Sequence, residues 1–195
     1  MTQEQRRIDT RSSIISAAAE VFSDKGFNES GVEDICSQAG ISKGAFYHHF
    51  KSKQQLMLIL MDKWIEEVAR QIGPIEEGQV NFLELLMSLP ESMKPAFTKV
   101  KGQLNLFLEL YVKGLSDPQL NSISRRTHEK FTSFFSYVVE QGIKQGSIRK
   151  VNVEDCSKTL FSLTIGFMVQ GMLDPHSTDW AKLAKESIGL LLAPS

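Results

Sequence analysis

Cysteine is scarce in this chain of 195 residues: Cys36 and Cys156 stand far apart and alone. That excludes a disulfide framework and a zinc spacing, and suits a reducing compartment. An excess of one charge is missing too, since 22 basic residues face 23 acidic ones. A polybasic nucleic-acid coat is thereby excluded, and any contact with DNA must come from local placement. Long apolar runs are absent. The longest uncharged stretch, Thr159–Leu173, contains Ser, Thr and Gln and falls short of the ~20 residues that span a bilayer. The first residues are polar and charged, unlike a signal peptide, so a cytoplasmic protein without membrane contact is expected. No glycine-rich phosphate loop, nucleophile elbow, HExxH or Cys-x-x-Cys occurs. His128 and His176 do not sit at metal-ligand spacing from a carboxylate or thiol. No enzyme activity, metal site or cofactor is therefore expected. Strand-like alternation, internal repeats and low-complexity tracts are lacking as well.

What is there is apolar content of 42%, ample for a core, and one informative stretch, GFNESGVEDICSQAGISKGAFYHHFKSK, from Gly26 to Lys53. Val32, Ile35, Cys36 and Ala39 recur at helical spacing and give a short helix one apolar stripe. Cys36 on that stripe reads as a small core residue. Ser30, with Glu33 three residues on, has the form of a capping box. Gly40 closes the helix, Ile41 plugs the turn, and Ser42 caps a second helix over Lys43–Phe50. At 100° per residue, Lys43, Gly44, Tyr47 and His48 share one arc. Ala45, Phe46, His49 and Phe50 share the other, which can pack inward. The first arc offers a cation, a gap for close backbone approach, a phenol and an imidazole, all suited to phosphates or base edges. Ser52 with Gln55 caps the next helix. Taken alone, such a helix pair fits ordinary packing as well as DNA reading.

The string ISKGAFYHHFKSKQQL, together with Ala17–Phe22, Gly26 and Val32–Ala39, resembles the signature of the TetR family of bacterial transcriptional regulators. The resemblance covers roughly the first quarter to third of the chain. It implies a sequence-specific DNA-binding regulator, most often a repressor in this family, whose helix from Ser42 enters the major groove. DNA contacts are then implied for Ser42, Lys43, Gly44, Ala45, Tyr47, His48 and Lys53, supported by Ser30 and Gly31 at the start of the preceding helix. Ala45 stands where a common variant has threonine, and so offers a methyl group rather than a hydroxyl.

Along the chain, residues 1–9 read as an arm or a charged tail, with Arg6 and Arg7 available to phosphates or a minor groove. Helix one is expected over Thr10–Lys25, buried through Ile14, Ile15, Ala18, Val21 and Phe22 and stopped by Gly26. Helix four runs from Lys53 to about Ile72, with Leu56, Met57, Leu60, Met61 and Trp64 apolar on two sides. Gly73-Pro74 ends it, and Ile75–Gly78 reads as a loop. Then follow a helix from Phe82 stopped near Pro90, one over Leu104–Leu115, and one from Pro118 to Gln145. Val153–Leu173, capped by Asn152, and Thr178–Leu192 complete an all-α chain of about nine helices. Residues 1–53 form a three-helix helix-turn-helix head, joined through helix four to an all-helical effector-binding and dimerisation body over 54–195.

Small-molecule sites are lined by aromatic side chains. Trp64, Phe107, Tyr111, Phe131, Phe134 and Phe135 are the candidates for an unknown effector, with plain core as the competing reading. Lys101, Asn105, Glu109 and Lys113 make a polar stripe in which Glu109 and Lys113 suit a surface pair. If Glu109 faces a cavity, it suits a cationic effector. A homodimer on a double-stranded DNA operator is expected through the last two helices. Leu160, Leu163, Gly166 and Phe167 lie on one, and Trp180, Ala184, Ser187 and Leu191 on the other. The competing function is a DNA-binding structural or partner-recruiting protein on the same scaffold with no effector.

Overall fold

A computed structural model describes residues 2–72, 80–98 and 103–194. Among these residues there are nine helices and no strand: α1 (Gln3–Glu29), α2 (Val32–Ala39), α3 (Lys43–His49), α4 (Lys53–Ile72), α5 (Phe82–Thr98), α6 (Gln103–Lys113), α7 (Pro118–Gln145), α8 (Val153–Leu173) and α9 (Trp180–Leu192). None is long and apolar enough to cross a membrane. The expected stop at Gly73-Pro74, the loop Ile75–Gly78 and Lys101 lie outside the described residues.

Several elements end elsewhere than local patterns suggest. Residues 3–9 are not an arm but the first turns of α1. Thr2 accepts from the Gln5 amide, Gln5 bonds Asp9, and Arg7 pairs with Glu4 at 2.8 Å, so short-range pairs suffice to start the helix early. Gly26, at φ 80°, breaks α1 before a last turn over Phe27–Glu29. The cap of α2 is shifted by one residue: Gly31 is the N-cap, and the Asp34 carboxylate accepts its amide at 2.7 Å. Ser30 is buried and donates to the Phe27 carbonyl. Helix α5 does not stop at Pro90. A proline there removes one hydrogen bond at about 3 kcal/mol. Phe82, Leu86 and Leu89 on the same helix are no more than 5% exposed, and each such burial contributes about 1.5–3 kcal/mol. Helix α9 starts at Trp180, because the Asp179 carboxylate takes the Lys182 amide and acts as its cap.

The described helices fall into two compact units. The first comprises Met1–Glu67 and Phe97–Thr127, the second Val68–Ala96 and His128–Ser195. This division differs from a cut at residue 53: most of α4, α6 and the start of α7 belong with the head. In the first unit α1 packs on α2 and on α6, and α2 on α3. In the second, α8 packs on α9, Phe131 stacks on Phe161, and Ser136 bonds Ser157 at 2.8 Å. Arg149 ties down the end of α9 by donating from its main chain to Leu192 and from its side chain to Leu191.

The α6–α7 corner shows how closely the first unit is packed. The buried Ser124 hydroxyl reaches the Leu110 carbonyl at 2.9 Å, and Asn121 donates to Gly114. A Cβ built on Gly114 would meet the Ser124 Oγ at 2.1 Å and its Cβ at 2.7 Å. Gly114→Ala should therefore displace Ser124 and destabilise the chain by about 1–3 kcal/mol. The check is a melting temperature lowered by several degrees in thermal unfolding without DNA, with Gly44→Ala, whose Cβ would meet only the Ser42 Oγ at 3.8 Å, as the unstrained control.

Candidate nucleic-acid interface

The candidate interface is built on a buried base. Ile14, Ala18, Ile35 and Phe46 have no measurable exposure, and Phe22 and Phe50 are nearly as deep. Helices α2 and α3 are joined through Gly40–Ser42. Gly40 sits in the left-handed region at φ 65°, and its amide and that of Ile41 return to the last carbonyls of α2. A residue with a side chain would be strained there. Ser42 Oγ then accepts the Ala45 amide at 3.2 Å and starts α3.

The two arcs of α3 separate as their spacing requires. Phe46 and Phe50 are buried and Ala45 and His49 half-buried, while Lys43, Gly44, Tyr47 and His48 are exposed. Tyr47 shows 56% of its surface, a large fraction for an aromatic ring with no packing duty. Its ring meets Phe46 edge-on at 5.3 Å. Gly44 leaves the backbone open, with only the Ser42 hydroxyl near its missing Cβ.

Charge is arranged by pairing. Lys43 forms an ion pair with Glu33 at the start of α2, and the Glu33 carboxylate raises the lysine pKa. Lys25 pairs with Asp34 at 2.6 Å, which holds that carboxyl below the usual range. Helix α1 brings Arg7 and Arg11 close to the end of α3. Arg11 lies 5.2 Å over the Phe50 ring. Burial, followed by the charges of His48, Arg7 and Arg11, pushes the His49 pKa down. Cys36 is buried, and desolvation raises its thiol.

Two residues stand differently from expectation. Lys53 points into the head, where its ammonium donates to the carbonyls of Phe27, Asn28 and Ser30 at 2.8, 3.3 and 2.9 Å. Glu109 makes no pair with Lys113. Its carboxylate accepts the amides of Phe27 and Asn28 at 2.9 and 3.1 Å, from 82 and 81 residues away. Sequence spacing carries no signal of a contact that long. Gly31 is half-buried and Ser30 buried, so of the two only Gly31 presents surface.

The aromatic candidates fall into two groups. Trp64, Phe107 and Tyr111 stack in the first unit at centroid distances of 5.2 and 5.6 Å; burial raises the Tyr111 pKa. In the second unit Phe131 stacks on Phe161, and Phe134 meets Phe135 at 5.5 Å. An open groove of about 360 Å³ runs along α8 past Thr159, Ser162, Leu163, Gly166 and Phe167, and it contains none of the six. Of the residues expected at a dimer contact, Leu160 and Ala184 are turned into their own chain. Trp180 closes the α8–α9 connection by donating to the Asp174 carbonyl at 2.8 Å. Leu183 and Leu190, at 38% and 88% exposed, were not expected and lie one heptad apart on α9.

The family described as bacterial regulatory proteins, tetR family, matches residues 14–59, which contain α2, α3 and the turn between them. The HTH-type transcriptional regulator UidR of Escherichia coli K12 is 31% identical over 184 residues, covering 93% of this chain and 89% of its own. The HTH-type transcriptional repressor KstR2 of Mycolicibacterium smegmatis is 29% identical over 140 residues, covering 71% of this chain and 67% of its own. A transcriptional regulator from Saccharomonospora viridis, solved in complex with choline, has the same fold. Its TM-score is 0.77 at 16% identity, over 96% of this chain and 99% of that one. The likeness to UidR thus runs far beyond the matched head and through almost every helix, and on that ground the chain belongs to the TetR family and is a helix-turn-helix transcriptional regulator.

Proposed function

We propose that this regulator is a repressor: a homodimer that reads its operator through α3 and leaves it when a small molecule binds. The observation that carries the reading is the free arc of Lys43, Gly44, Tyr47 and His48 on a helix whose other arc is buried. Lys43 supplies a phosphate or guanine contact once it exchanges Glu33 for DNA. Tyr47 and His48 supply donors and ring surface at base edges, Ala45 a methyl group, and Ser42, Gly31 and Gly44 close backbone approach.

One head offers few phosphate contacts, whereas two on one body read half-sites about 34–36 Å apart or at a multiple of that spacing. The α8 groove and the exposed Leu183 and Leu190 suit a second copy. Gly166 supports this, because its own chain leaves the Cβ position empty and a small residue there admits a partner helix. Leu163 and Phe167 on α8 and Ser187 and Leu191 on α9 complete a four-helix contact across a two-fold axis. Effector control is supported by the choline-bound neighbour of the same fold and by the Trp64–Phe107–Tyr111 group, where a half-buried phenol sits among apolar rings. Release requires that the effector bind the DNA-incompetent arrangement more tightly, and the coupling is reciprocal.

After selection of an operator from random DNA, Lys43→Ala with Tyr47→Ala should weaken binding at least about tenfold. It should also flatten the salt dependence by up to about one unit. Both side chains are exposed, so the melting temperature should stay near wild type; unchanged affinity and slope would remove α3 as the reading helix. Phe167→Glu with Leu190→Glu should sediment as a monomer and lose on the order of 10²-fold or more in operator affinity. A double variant that sediments as wild type places the contact elsewhere. A metabolite panel read by thermal shift and operator release separates the proposal from an effector-free scaffold, which shows neither response.

A further inference from the structure

The corner between α1 and α2, residues 26–30, is gripped from two sides. Gly26 turns the chain at φ 80°. From α6, the two carboxylate oxygens of Glu109 take the amides of Phe27 and Asn28. The Glu109 Oε2 lies 3.2 Å from where a Gly26 Cβ would stand. From the start of α4, Lys53 Nζ donates to the carbonyls of Phe27, Asn28 and Ser30 and lies 4.5 Å from the centre of the Phe27 ring. An ammonium has three protons to donate, and the corner occupies all three. Burial lowers the Lys53 pKa, against the opposing charges of Glu109 and Glu29.

We propose that Lys53 and Glu109 are positioning residues for operator reading: together they fix the 26–30 corner from which α2, and through it α3, is set. The proposal rests on the α3 reading above. Ser30 and Gly31 lead directly into α2, and α2 carries α3 through the turn at Gly40–Ser42. A shift of the corner therefore moves the Lys43–His48 arc as a body. The cradle is chemically specific, because converging carbonyls match a tetrahedral ammonium. A planar guanidinium cannot reproduce that geometry, although it contacts phosphate at least as well.

The test compares full-length Lys53→Arg, Lys53→Met and Glu109→Gln with wild type and Lys43→Ala, on the selected operator across a salt series. Lys53→Arg should lose operator affinity by about tenfold while the salt slope stays that of wild type. Retention of full affinity in Lys53→Arg or in Lys53→Met would overturn the proposal. In the DNA-free protein, Glu109→Gln should speed hydrogen exchange at the Phe27 or Asn28 amide, because an amide side chain has only one acceptor oxygen to replace two. Unchanged exchange together with unchanged affinity in Glu109→Gln would also overturn it. A Lys43→Ala protein with wild-type affinity and slope would instead refute the α3 reading, and the exchange measurement tests the corner without DNA.

Discussion

Phe46, on a helix of seven residues, and Phe50, at its C-cap, are 0% and 1% exposed. A peptide of that length has no helical stability of its own. Its shape is set by burying two rings, each contributing about 2–3 kcal/mol, in a base that includes Ile14, Phe22 and Ile35. Everything the exposed arc does depends on that burial. Side chains can hold a fixed spacing against base edges only if the backbone beneath them does not fray. The left-handed turn at Gly40 serves the same end, because it brings α3 back onto α2 through Gly40–Ser42 alone.

Charge in the head is neutral by count and uneven by placement. Residues 1–53 hold as many acids as bases, which argues against a nucleic-acid surface if composition alone is weighed. In the fold, Glu33 and Asp34 are struts across α2, engaged with Lys43 and Lys25, and Glu20 bonds Gln38. The longer α1 adds Arg7 to Arg11 in the surroundings of His49. The acids thus shape the head by pairing with its cations, Arg7 with Glu4 and Lys43 with Glu33.

The helix-turn-helix was legible because its determinants are local: an apolar stripe of four residues, a glycine at the turn, and a serine at the next cap. Helices α4, α7 and α8 were legible to the residue for the same reason, each having a side-chain cap or a proline at its start. The misreadings share one cause, competition between a local signal and a packing term invisible along the chain. Pro90 is a stop signal overruled by the burial of Phe82, Leu86 and Leu89. Ser30 is a good cap in isolation, but Asp34 offers the neighbouring amide a charged acceptor and the serine turns inward. Leu160 and Ala184 carry the spacing expected of a dimer contact, yet both are buried within their own chain. The contacts of Glu109 and Lys53 are the least legible, since nothing near either residue names its partners.

The grip of Glu109 on the Phe27 and Asn28 amides closes a loop of 82 residues. Contacts of such separation form late, after the local helices, because the chain must first surrender the freedom of everything between them. During synthesis α1, α2 and α3 emerge well before α6. The α1–α2 corner therefore stays open to water on the Glu109 side until more than half of the protein exists. Assembly of the DNA-reading head is thus tied to the arrival of a distant helix. A nascent chain, or one broken ahead of α6, carries the complete helix-turn-helix sequence without the acceptor that holds its first corner.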